Sequence, residues 1–489
     1  MSTVGLEHQQ LLIGGRWTDA SSGATYEKAN PYTGEPAGST AAATREDARA
    51  AVDAAHEAFR DWAAQPPERR AEVLRRASEI LMERQQDIAA IVTEETGGTF
   101  GWGMFNVELG AGMLAFNAEQ ADALSTPETI PSHIPGKEAR AVRQAVGVVV
   151  GIAPWNAPVI LGVRAIAAPL AYGNTVVLKA SEECPRTHAA IIHALEDAGA
   201  PPGVVNLITN DPEDAPEVVD ELIAHPAVRR VNFTGSTRVG RIVAENAARH
   251  LKRVLLELGG KAPMVVLADA DLDRAVAAAN FGSFMHQGQI CMSTERIVID
   301  QQVADEFAER LGEKAGAMTV GDPRDPGTQI GPLVNQSAME RVTGLVEDAV
   351  AKGARVVTGG KADGPCFQPT VLAGVTPEMR IYAEESFGPV VSIVPVDGVE
   401  EAIRTANDTE YGLSSAVFSG DLDTAMEVAR RLETGMCHIN DTTVHDEPQM
   451  PFGGVKDSGW GRFGGNAAID EFTELRWITV QQEPREYPI

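Results

Sequence analysis

Short apolar stretches alternate with stretches of helical periodicity from about residue 145 onwards. Residues 148–152 are apolar throughout, for example, and residues 162–170 carry apolar side chains at helical spacing. Short apolar runs separated by helices are typical of parallel strands that are covered on both faces. The predicted elements of this first series are strands 148–152, 175–178, 204–208, 230–233 and 253–256, and helices 162–170, 187–198, 216–224 and 236–250. The predicted buried face of the last helix holds Val239, Ile242, Val243 and Ala247.

A second alternating series runs from residue 263 to about residue 441, so the predicted fold class is α/β with two such units. Residues 1–45 predict short strands and turns, and residues 44–97 are helical in periodicity. A last strand near 477–481 lies far from both series, and we expect it to pair at a subunit contact. The predicted elements of the second series are helix 271–284 and strands 264–267, 296–300, 390–396, 415–419 and 437–440.

Composition and charge narrow the range of partners. Of the 489 residues, 44% are hydrophobic and 22% are charged, which is ordinary for a soluble protein of two or three domains. The formal net charge of −28 repels phosphate backbones and anionic lipid, so we expect neither nucleic acid nor a membrane as a partner. The sequence has no run of about 18 apolar residues, and residues 1–10 show no export signal. We therefore expect a cytoplasmic protein.

The cysteines point to no metal chemistry. There are four of them, and none is paired in a Cys-x-x-Cys spacing. That pattern predicts neither a zinc site nor a dithiol redox centre, and we expect no metal. An isolated cysteine is usually a small buried residue, so spacing alone does not distinguish Cys184, Cys291, Cys366 and Cys437.

Polar side chains follow the predicted strands of the first series, at the points where the strands end. Asn156 lies just past the first strand, Lys179 ends the second, and Thr234 and Glu257 follow the last two. Ligands of open α/β sheets bind at the carboxyl ends of the strands. These groups therefore predict one ligand-binding edge.

Three short segments carry chemistry but are ambiguous when each is taken alone. Residues 233–240 join a strand to a helix whose N-terminus can bind phosphate, yet Gly235 and Gly240 do not form the three-glycine dinucleotide fingerprint. Glu257 is either a solvated turn acid or a general base beside a nucleophile. Cys291, on a turn next to small polar residues, is either structural or an exposed reactive thiol.

Together these segments resemble the aldehyde dehydrogenase superfamily over nearly the whole chain. Seven segments in the family's order are far more specific than any one of them. The resemblance implies NAD(P)-dependent oxidation of an aldehyde to its acid. It also implies a Rossmann-like dinucleotide-binding domain, a second α/β catalytic domain and a small β arm. The matching segments are 154–156, 179–182, 233–240, 257–261, 288–291, 385–389 and 451–454.

The resemblance assigns the catalytic residues. Cys291 matches the nucleophile, whose thiolate attacks the aldehyde carbonyl. Asn156 matches the oxyanion donor, acting with the backbone N–H of Cys291, and one such donor is typically worth about 3 kcal/mol. Hydride transfer to nicotinamide then leaves a thioester, and Glu257 matches the base that activates water to hydrolyse it. Lys179 matches a residue expected to serve both catalysis and cofactor binding.

The resemblance also assigns a cofactor set. Lys179 and Glu182 match residues that hold the adenosine ribose, Ser236 matches a pyrophosphate contact, and Glu385 matches a carboxylate on the nicotinamide ribose. A carboxylate beside the ribose repels a 2′-phosphate and favours NAD, while Lys179 can neutralise a phosphate and leaves NADP open. The expected cofactor contacts are Ile152, Ala153, Trp155, Lys179, Ser181, Glu182, Gly235, Ser236, Val239, Leu258, Glu385 and Phe387.

The substrate is expected to be an aromatic aldehyde. Residues 437–441 and 444–452 are similar to the branch that includes salicylaldehyde, vanillin and benzaldehyde dehydrogenases. Arg164 is similar to a pocket arginine of that branch, and a guanidinium can stack on a ring or pair with its substituent. The family often has Pro where this chain has Ala180, and Phe where it has Ala157, which opens space near the carbonyl. The expected substrate contacts are Ala157, Arg164, Trp102, Phe105, Ile290, Met292 and Phe452.

Three alternatives are weighed against this hypothesis. The first is an aliphatic or semialdehyde dehydrogenase of the same superfamily. The second is a relative that passes the acyl group to coenzyme A, against which Glu257 speaks, because that branch generally lacks this base. The third is a catalytically silent binding protein, and it conflicts with the retention of Cys291, Asn156 and Glu257.

The family's shape implies the domain boundaries. Residues 1–123 and 146–257 are expected to form the NAD-binding domain, and residues 258–465 the catalytic domain. Residues 124–145 and 466–489 match oligomerisation arms. We therefore expect a homodimer or a homotetramer.

Overall fold

The computed structural model describes residues 8–487 and residue 489. Residues 1–7 and 488 lie outside the described residues, so the predicted N-terminal segment, the predicted terminal arm and the stretch judged for an export signal are described only in part. Within the described part of the chain, every helix is too short or too polar to span a lipid bilayer.

The strands, in chain order, are β1 (His8–Gln9), β2 (Leu11–Ile13), β3 (Arg16–Thr18), β4 (Thr25–Ala29), β5 (Pro36–Ala41), β6 (Glu128–Ile130), β7 (Lys137–Ala145), β8 (Val148–Ile152), β9 (Thr175–Lys179), β10 (Val205–Ile208), β11 (Val228–Thr234), β12 (Arg253–Glu257), β13 (Ala262–Val266), β14 (Thr294–Asp300), β15 (Arg355–Thr358), β16 (Ala362–Asp363), β17 (Cys366–Phe367), β18 (Thr370–Ala373), β19 (Val390–Val396), β20 (Ser414–Phe418), β21 (Met436–Ile439), β22 (Gly459–Trp460) and β23 (Thr473–Gln481).

The α-helices are α1 (Arg45–Ala63), α2 (Pro67–Glu83), α3 (Gln85–Thr96), α4 (Phe100–Glu119), α5 (Pro158–Ala171), α6 (Pro185–Asp197), α7 (Ala215–Ala224), α8 (Thr237–Arg249), α9 (Leu272–Phe284), α10 (Ala304–Gly316), α11 (Gln336–Ala351), α12 (Arg380–Ala383), α13 (Gly398–Asn407), α14 (Leu422–Arg431) and α15 (Ala467–Phe472).

Two largely parallel sheets form the body of the protein, which confirms the predicted α/β class. The larger has the order β22-β12-β11-β8-β9-β10-β2-β3, and the smaller has the order β15-β18-β19-β14-β13-β20-β21. All ten predicted strands of the two series are present, and their ends shift by at most two residues. β22 comes from the region predicted to be catalytic but pairs antiparallel with β12. The domain division itself stays a prediction.

The helical stretch predicted over 44–97 is three helices rather than one. α1 ends at Ala63, and Pro66 and Pro67 open α2, because proline fits the first helical turn but lacks the N–H of a helix interior. α3 follows after a single residue, Arg84. Similarly, α5 begins at Pro158 instead of the predicted residue 162, with proline in its first turn.

One predicted core residue lies outside the core. Ile242 of α8 is 54% exposed, whereas Gly240, Val243 and Ala247 are buried. Residues at i, i+3 and i+7 form a narrow stripe, and residue 242 points about 100° away from residue 243 on a helix. Because α8 packs by this narrow stripe, the prediction that Ile242 shares the buried face was wrong.

The terminal strand finds its partner in its own chain. β23 pairs antiparallel with β7 along the whole of both strands, and β6 completes a three-stranded sheet. The sequence analysis did not identify this partner within the chain, because residues 137–145 lack an apolar alternation that would mark them as a strand, and the expected subunit contact stays a prediction. The outer side chains of β23 are exposed, including Leu475, Trp477 and Val480.

Asn174 ties this small sheet to the larger one. Its side-chain oxygen accepts hydrogen bonds from the backbone N–H groups of Val146 (2.7 Å) and Gly147 (3.2 Å). Its amide nitrogen donates to the carbonyls of Pro169 (3.1 Å) and Phe472 (3.0 Å). The entrance of β8, the end of α5 and the entrance of β23 thus share one buried side chain.

We predict that Asn174→Ala destabilises the fold. The substitution leaves several buried backbone groups without partners, and each such group costs about 1–3 kcal/mol. The apparent melting temperature should fall by several degrees in a thermal melt followed by circular dichroism. Asn246→Ala is the control, since Asn246 makes a surface hydrogen bond to Asp220. Equal melting temperatures for the two variants would refute this role for Asn174.

Candidate active site

The carboxyl ends of four parallel strands meet at one edge of the larger sheet. Ile152 at the end of β8 is in register with Lys179 on β9 and with Phe233 on β11, and Thr234 is in register with Glu257 on β12. β8 and β9 are wholly buried, so polar side chains that follow them have space only beyond the sheet. This edge is the one predicted from the sequence.

Cys291 follows a turn of strained backbone that buried hydrogen bonds hold in place. The preceding turn, Met285–Gly288, contains His286 (φ 49°) and Gln287 (φ 58°), both in the left-handed region. Such conformations persist where surrounding contacts fix them. The buried amide of Gln287 donates to the carbonyls of Gly97 (3.0 Å) and Pro332 (2.9 Å) and so anchors the turn. The Cys291 thiol is half-buried beyond it.

Two cavities meet at the nucleophile candidate. A cleft of about 740 Å³ and a smaller pocket of about 290 Å³ are both lined by Asn156 and Cys291. The cleft has polar and charged walls, whereas the pocket is lined almost entirely by apolar and aromatic side chains. Two ligands of different chemistry can therefore approach the same sulfur from two sides.

The cleft collects about half of the predicted cofactor residues. Ser236 caps α8 by accepting a hydrogen bond from Val239 N–H (3.4 Å), which places a helix N-terminus at the cleft. The predicted residues that line the cleft are Trp155, Gly235, Ser236, Leu258, Glu385 and Phe387. The predicted residues that do not line it are Ile152, Ala153, Lys179, Ser181, Glu182 and Val239. The sequence reasoning missed Arg238, Asn335, Arg341 and Tyr411, which also line it.

Lys179 and Glu182 form their own ion pair at the same strand edge. Glu182 also accepts a hydrogen bond from Asn210 (3.1 Å). Burial acts to raise the pKa of Glu182, but the Lys179 ammonium and the hydrogen bonds outweigh burial and lower it. Lys179 thus lies beside a carboxylate and does not line the cleft around Cys291. A catalytic role would require it to lie in that part of the cleft.

Glu385 and Phe387 form the opposite wall of the cleft. Glu385 accepts a hydrogen bond from Gly260 N–H (2.8 Å), and burial together with the Glu295 carboxylate raises its pKa to about 7. Phe387 meets Trp155 edge to face, with ring centroids 5.8 Å apart. The turn formed by residues 385–387 donates backbone N–H groups to the carboxylate of Glu295, a residue that the sequence reasoning did not single out.

The smaller pocket contains every residue predicted to contact the substrate. Trp102, Phe105, Ala157, Arg164, Ile290, Met292 and Phe452 all line it. The sequence reasoning missed seven further lining residues, five of which are apolar residues on a helix or directly after one, where no signal separates a pocket wall from the core. These are Leu109, Ile160, Leu161, Phe281, Met285, Val444 and Asp446.

Arg164 is the one cation of this pocket's wall. Its guanidinium lies 4.1 Å from the centroid of the Phe452 ring and forms an ion pair with Asp446. Both side chains of the pair are at least nine-tenths buried. Arg164 therefore presents a flat, partnered guanidinium to the pocket.

Asn156 is positioned by both of its polar ends. Its backbone carbonyl accepts a hydrogen bond from the Trp102 indole (3.1 Å), and its side-chain amide donates to the Gln289 carbonyl (3.0 Å). An amide nitrogen has two N–H groups. The second one remains available beside Cys291, which lines the same two cavities.

The surroundings of Cys291 and Glu257 are electrostatically unfavourable for negative charge. Both carboxyl oxygens of Glu257 are buried without a hydrogen-bond partner among the described residues, and burial raises its pKa well above its ordinary value. Burial, together with the carboxylates of Glu257 and Glu385, raises the pKa of the Cys291 thiol to about 12, while Arg164 acts to lower it. The resting thiol is therefore neutral, and a general base is needed to form the thiolate.

Comparison with known proteins identifies the family. The profile of the aldehyde dehydrogenase family matches residues 17–478. The chain belongs to the aldehyde dehydrogenase family. It is 57% identical to a vanillin dehydrogenase of a Pseudomonas species, over 99% of this chain and 100% of that protein.

Two solved structures of this family are especially informative. A salicylaldehyde dehydrogenase from Pseudomonas putida G7, complexed with salicylaldehyde, has a TM-score of 0.97 and 45% identity, with 99% of this chain and 100% of that chain covered. A betaine aldehyde dehydrogenase from Staphylococcus aureus, in complex with NAD+, has a TM-score of 0.94 and 33% identity, with 98% and 95% covered. These comparisons support a nicotinamide dinucleotide cofactor for this aldehyde dehydrogenase and confirm the resemblance seen in its sequence.

We predict that Glu257→Gln makes Cys291 react with iodoacetamide at lower pH. The Glu257 carboxylate raises the pKa of the thiol, so removing its charge lowers that pKa and enlarges the thiolate fraction at a given pH. The measurement is the rate of alkylation against pH, assigned by peptide mass mapping because Cys437 is also partly exposed.

The control for this measurement is Glu196→Gln, which removes a partly buried carboxylate from α6, outside both cavities. It should leave the dependence of the Cys291 alkylation rate on pH unchanged. An unchanged pH dependence in Glu257→Gln, or a shift to higher pH, would contradict the influence of the Glu257 charge on the pKa of Cys291.

Proposed function

We propose that this aldehyde dehydrogenase oxidises an aromatic aldehyde, such as a hydroxy- or methoxybenzaldehyde, to its carboxylic acid with NAD as the oxidant. One observation carries the proposal: a polar cleft and an apolar, aromatic pocket share Cys291 and Asn156. A thiol between two such cavities suits a reaction between a polar cofactor and an apolar substrate. The relatives named for vanillin and salicylaldehyde support the aromatic class.

The residues present fit a nicotinamide dinucleotide. The cleft volume lies within the range of about 300–1,000 Å³ that is usual for cofactor sites. Ser236 and the N-terminus of α8 offer N–H groups to a pyrophosphate. Glu385 offers a carboxylate to a ribose hydroxyl, and Phe387 packs beside it. When bound, the nicotinamide supplies a hydride acceptor for the carbon that Cys291 has attacked.

Cys291 performs the covalent step. Its sulfur forms a bond to the aldehyde carbon as its proton passes to water. The carbonyl π electrons move to oxygen, and the resulting oxyanion is held by the free N–H of the Asn156 amide and by the backbone N–H of Cys291. The product of this step is a thiohemiacetal on Cys291.

Glu257 completes the reaction after oxidation to the thioester. Its carboxylate removes a proton from a water molecule as the water oxygen attacks the thioester carbon, and the C–S bond then breaks to release the acid. Because Glu257 has no hydrogen-bond partner among the described residues, its carboxylate is free to turn towards the attacking water. Arg164 and Arg462 favour its charged form.

Glu182 supports NAD over NADP as the proposed cofactor. Its lowered pKa keeps a negative charge at the strand edge, and the Lys179 ammonium is already paired with it. A 2′-phosphate on the ribose would meet that carboxylate and be repelled. NADP remains the alternative, with Lys179 as its partner.

We propose further that the protein is a cytoplasmic homo-oligomer, a dimer or a tetramer, in the domain arrangement expected from its family. The exposed apolar side chains of β23, among them Trp477 at 74% exposure, are unusual for a free edge of a small sheet. Contact with a second copy through residues 124–145 and 466–489 would bury them.

The proposed substrate class predicts a ranking of aldehydes. Vanillin, salicylaldehyde and benzaldehyde should give kcat/KM values at least about 10-fold above that of a short aliphatic aldehyde, because only a ring fills the apolar pocket and stacks near Arg164. NADH or NADPH formation is followed at 340 nm with the two cofactors run in parallel. A clear preference for the aliphatic aldehyde would overturn the aromatic proposal.

The proposed mechanism predicts two distinct failures. Cys291→Ala should abolish turnover while NAD still binds, since the sulfur is the nucleophile. Glu257→Gln should give one burst of NADH per active site and then stall, because the thioester accumulates. Rapid-mixing kinetics and intact-mass detection of the acyl-enzyme measure both. Steady turnover by either variant would exclude the role given to that residue. Product analysis of the unaltered protein with and without coenzyme A tests the alternative in which the acyl group passes to coenzyme A.

A further inference from the structure

A buried ion pair lies directly behind the cleft. The Lys261 ammonium is 2.5 Å from a carboxylate oxygen of Glu295, and the two side chains are 0% and 4% exposed. Lys261 ends the segment that begins with Glu257, and Glu295 lies four residues after Cys291. The pair therefore joins the segment of the base candidate to the segment of the nucleophile.

A β-bulge turns Glu295 towards this position. β13 and β14 pair in parallel, with Ala262 opposite Thr294 and Pro263 opposite Arg296. Glu295 is the extra residue between these pairs and has no partner on β13. Bulges commonly redirect a side chain beside a functional site, and this one directs a carboxylate into the protein.

Glu295 also holds a third segment. Its carboxylate accepts hydrogen bonds from the backbone N–H groups of Ser386, 2.9 Å from each oxygen, and of Phe387, at 3.0 Å. Phe387 has a φ of 45°, in the left-handed region where a bulky residue is an outlier. A conformation of this kind costs about 1–3 kcal/mol and needs external contacts to persist. The two N–H bonds to Glu295 supply them.

The other side of the pair reaches the same segment. Gly260, next to Lys261, donates its N–H to Glu385 at 2.8 Å. A Cβ at Gly259 would lie 2.6 Å from an oxygen of Glu385, so only glycine allows this approach. Residues 259–261 and Glu295 thus contact residues 385–387 from two directions.

Stability alone does not account for the pair. A buried ion pair is often no more stabilising than apolar residues of similar volume, because both charges lose their water. What an apolar pair does not provide is an acceptor for the Ser386 and Phe387 N–H groups. The carboxylate is therefore best explained by the geometry that it imposes on that turn.

We propose that Lys261 and Glu295 are positioning residues that hold the Glu385–Phe387 turn in the form that binds the nicotinamide end of the cofactor. The inference rests on the proposed function, since it assigns that turn to the cofactor. Glu295 acts through Glu385 and Phe387 and itself lines neither the substrate pocket nor the cleft.

Three variants separate positioning from stability. Glu295→Gln keeps the shape but leaves the Lys261 charge buried alone. The double variant Lys261→Met, Glu295→Leu removes both charges and should recover much of the melting temperature that Glu295→Gln loses, while the N–H groups of Ser386 and Phe387 lose their acceptor. Asp47→Asn is the matched control, because Asp47 is also a buried carboxylate that accepts backbone N–H groups, from Ser21 and Thr44, outside both cavities.

The readout is cofactor affinity, measured without turnover. NAD and NADP are titrated against each variant by calorimetry, and melting temperatures are recorded alongside. We expect both Glu295 variants to raise the Kd of the preferred cofactor by about 10-fold or more, including the double variant at its recovered melting temperature. Asp47→Asn should change stability only.

A second readout tests the nucleophile side. Hydrolysis of 4-nitrophenyl acetate by the Cys291 thiolate requires no cofactor, and it should stay within about twofold of the parent in the double variant if only the turn has moved. An unchanged cofactor Kd in the double variant would overturn the proposal, as would a loss of ester hydrolysis equal to the loss of affinity. Failure of the aromatic-aldehyde proposal would appear instead in the substrate ranking of the unaltered protein.

Discussion

The site depends on one constraint, the common register of buried parallel strands. Because β8 and the middle of β9 are apolar on both faces, the polar side chains at this edge fall at the ends of the strands or just beyond them, as Lys179 and Asn156 do. β11 and β12 are in register with them, so Asn156 and Glu257 arrive at one edge although they are far apart in sequence. The second sheet then needs to supply only the sulfur of Cys291. That residue follows a strained turn, which the Gln287 amide holds in place.

Burial makes this edge reactive at an electrostatic cost. Carboxylates crowd around Cys291, and they raise the pKa of a thiol that must ionise to react. The resting thiol is therefore neutral, which protects it from unproductive chemistry. Any cation bound in the cleft would favour the Cys291 thiolate, so occupancy of the cleft and reactivity of the sulfur are linked. The Lys261–Glu295 pair is neutral as a unit, and its two charges act in opposite directions on the pKa of Glu385.

The sequence predicts this architecture wherever burial leaves a periodic signal. Strands such as 148–152 and 390–396 are recognisable because both faces are apolar, and the seven family segments locate Cys291, Asn156 and Glu257. The pairing of β7 with β23 was missed because β7 is mostly half-buried, β23 is mostly exposed, and neither has one consistently buried face. Glu295 was missed because a single bulge decides its direction, and Asp446 because its role depends on Arg164, 282 residues away in sequence. Contacts between remote segments leave no local pattern.

The pairing of Arg164 with Asp446 bears on which aldehydes enter. A free guanidinium in an apolar pocket would attract a carboxylate, and a semialdehyde that carries one would be a good substrate. Here Asp446 already neutralises Arg164, and the guanidinium lies flat over Phe452. A second carboxylate would have to displace Asp446 or remain buried without a partner, which is costly. An aromatic ring needs neither, because it can stack on the paired guanidinium in the space that Ala157 leaves open. The ion pair thus favours a neutral ring over a charged chain.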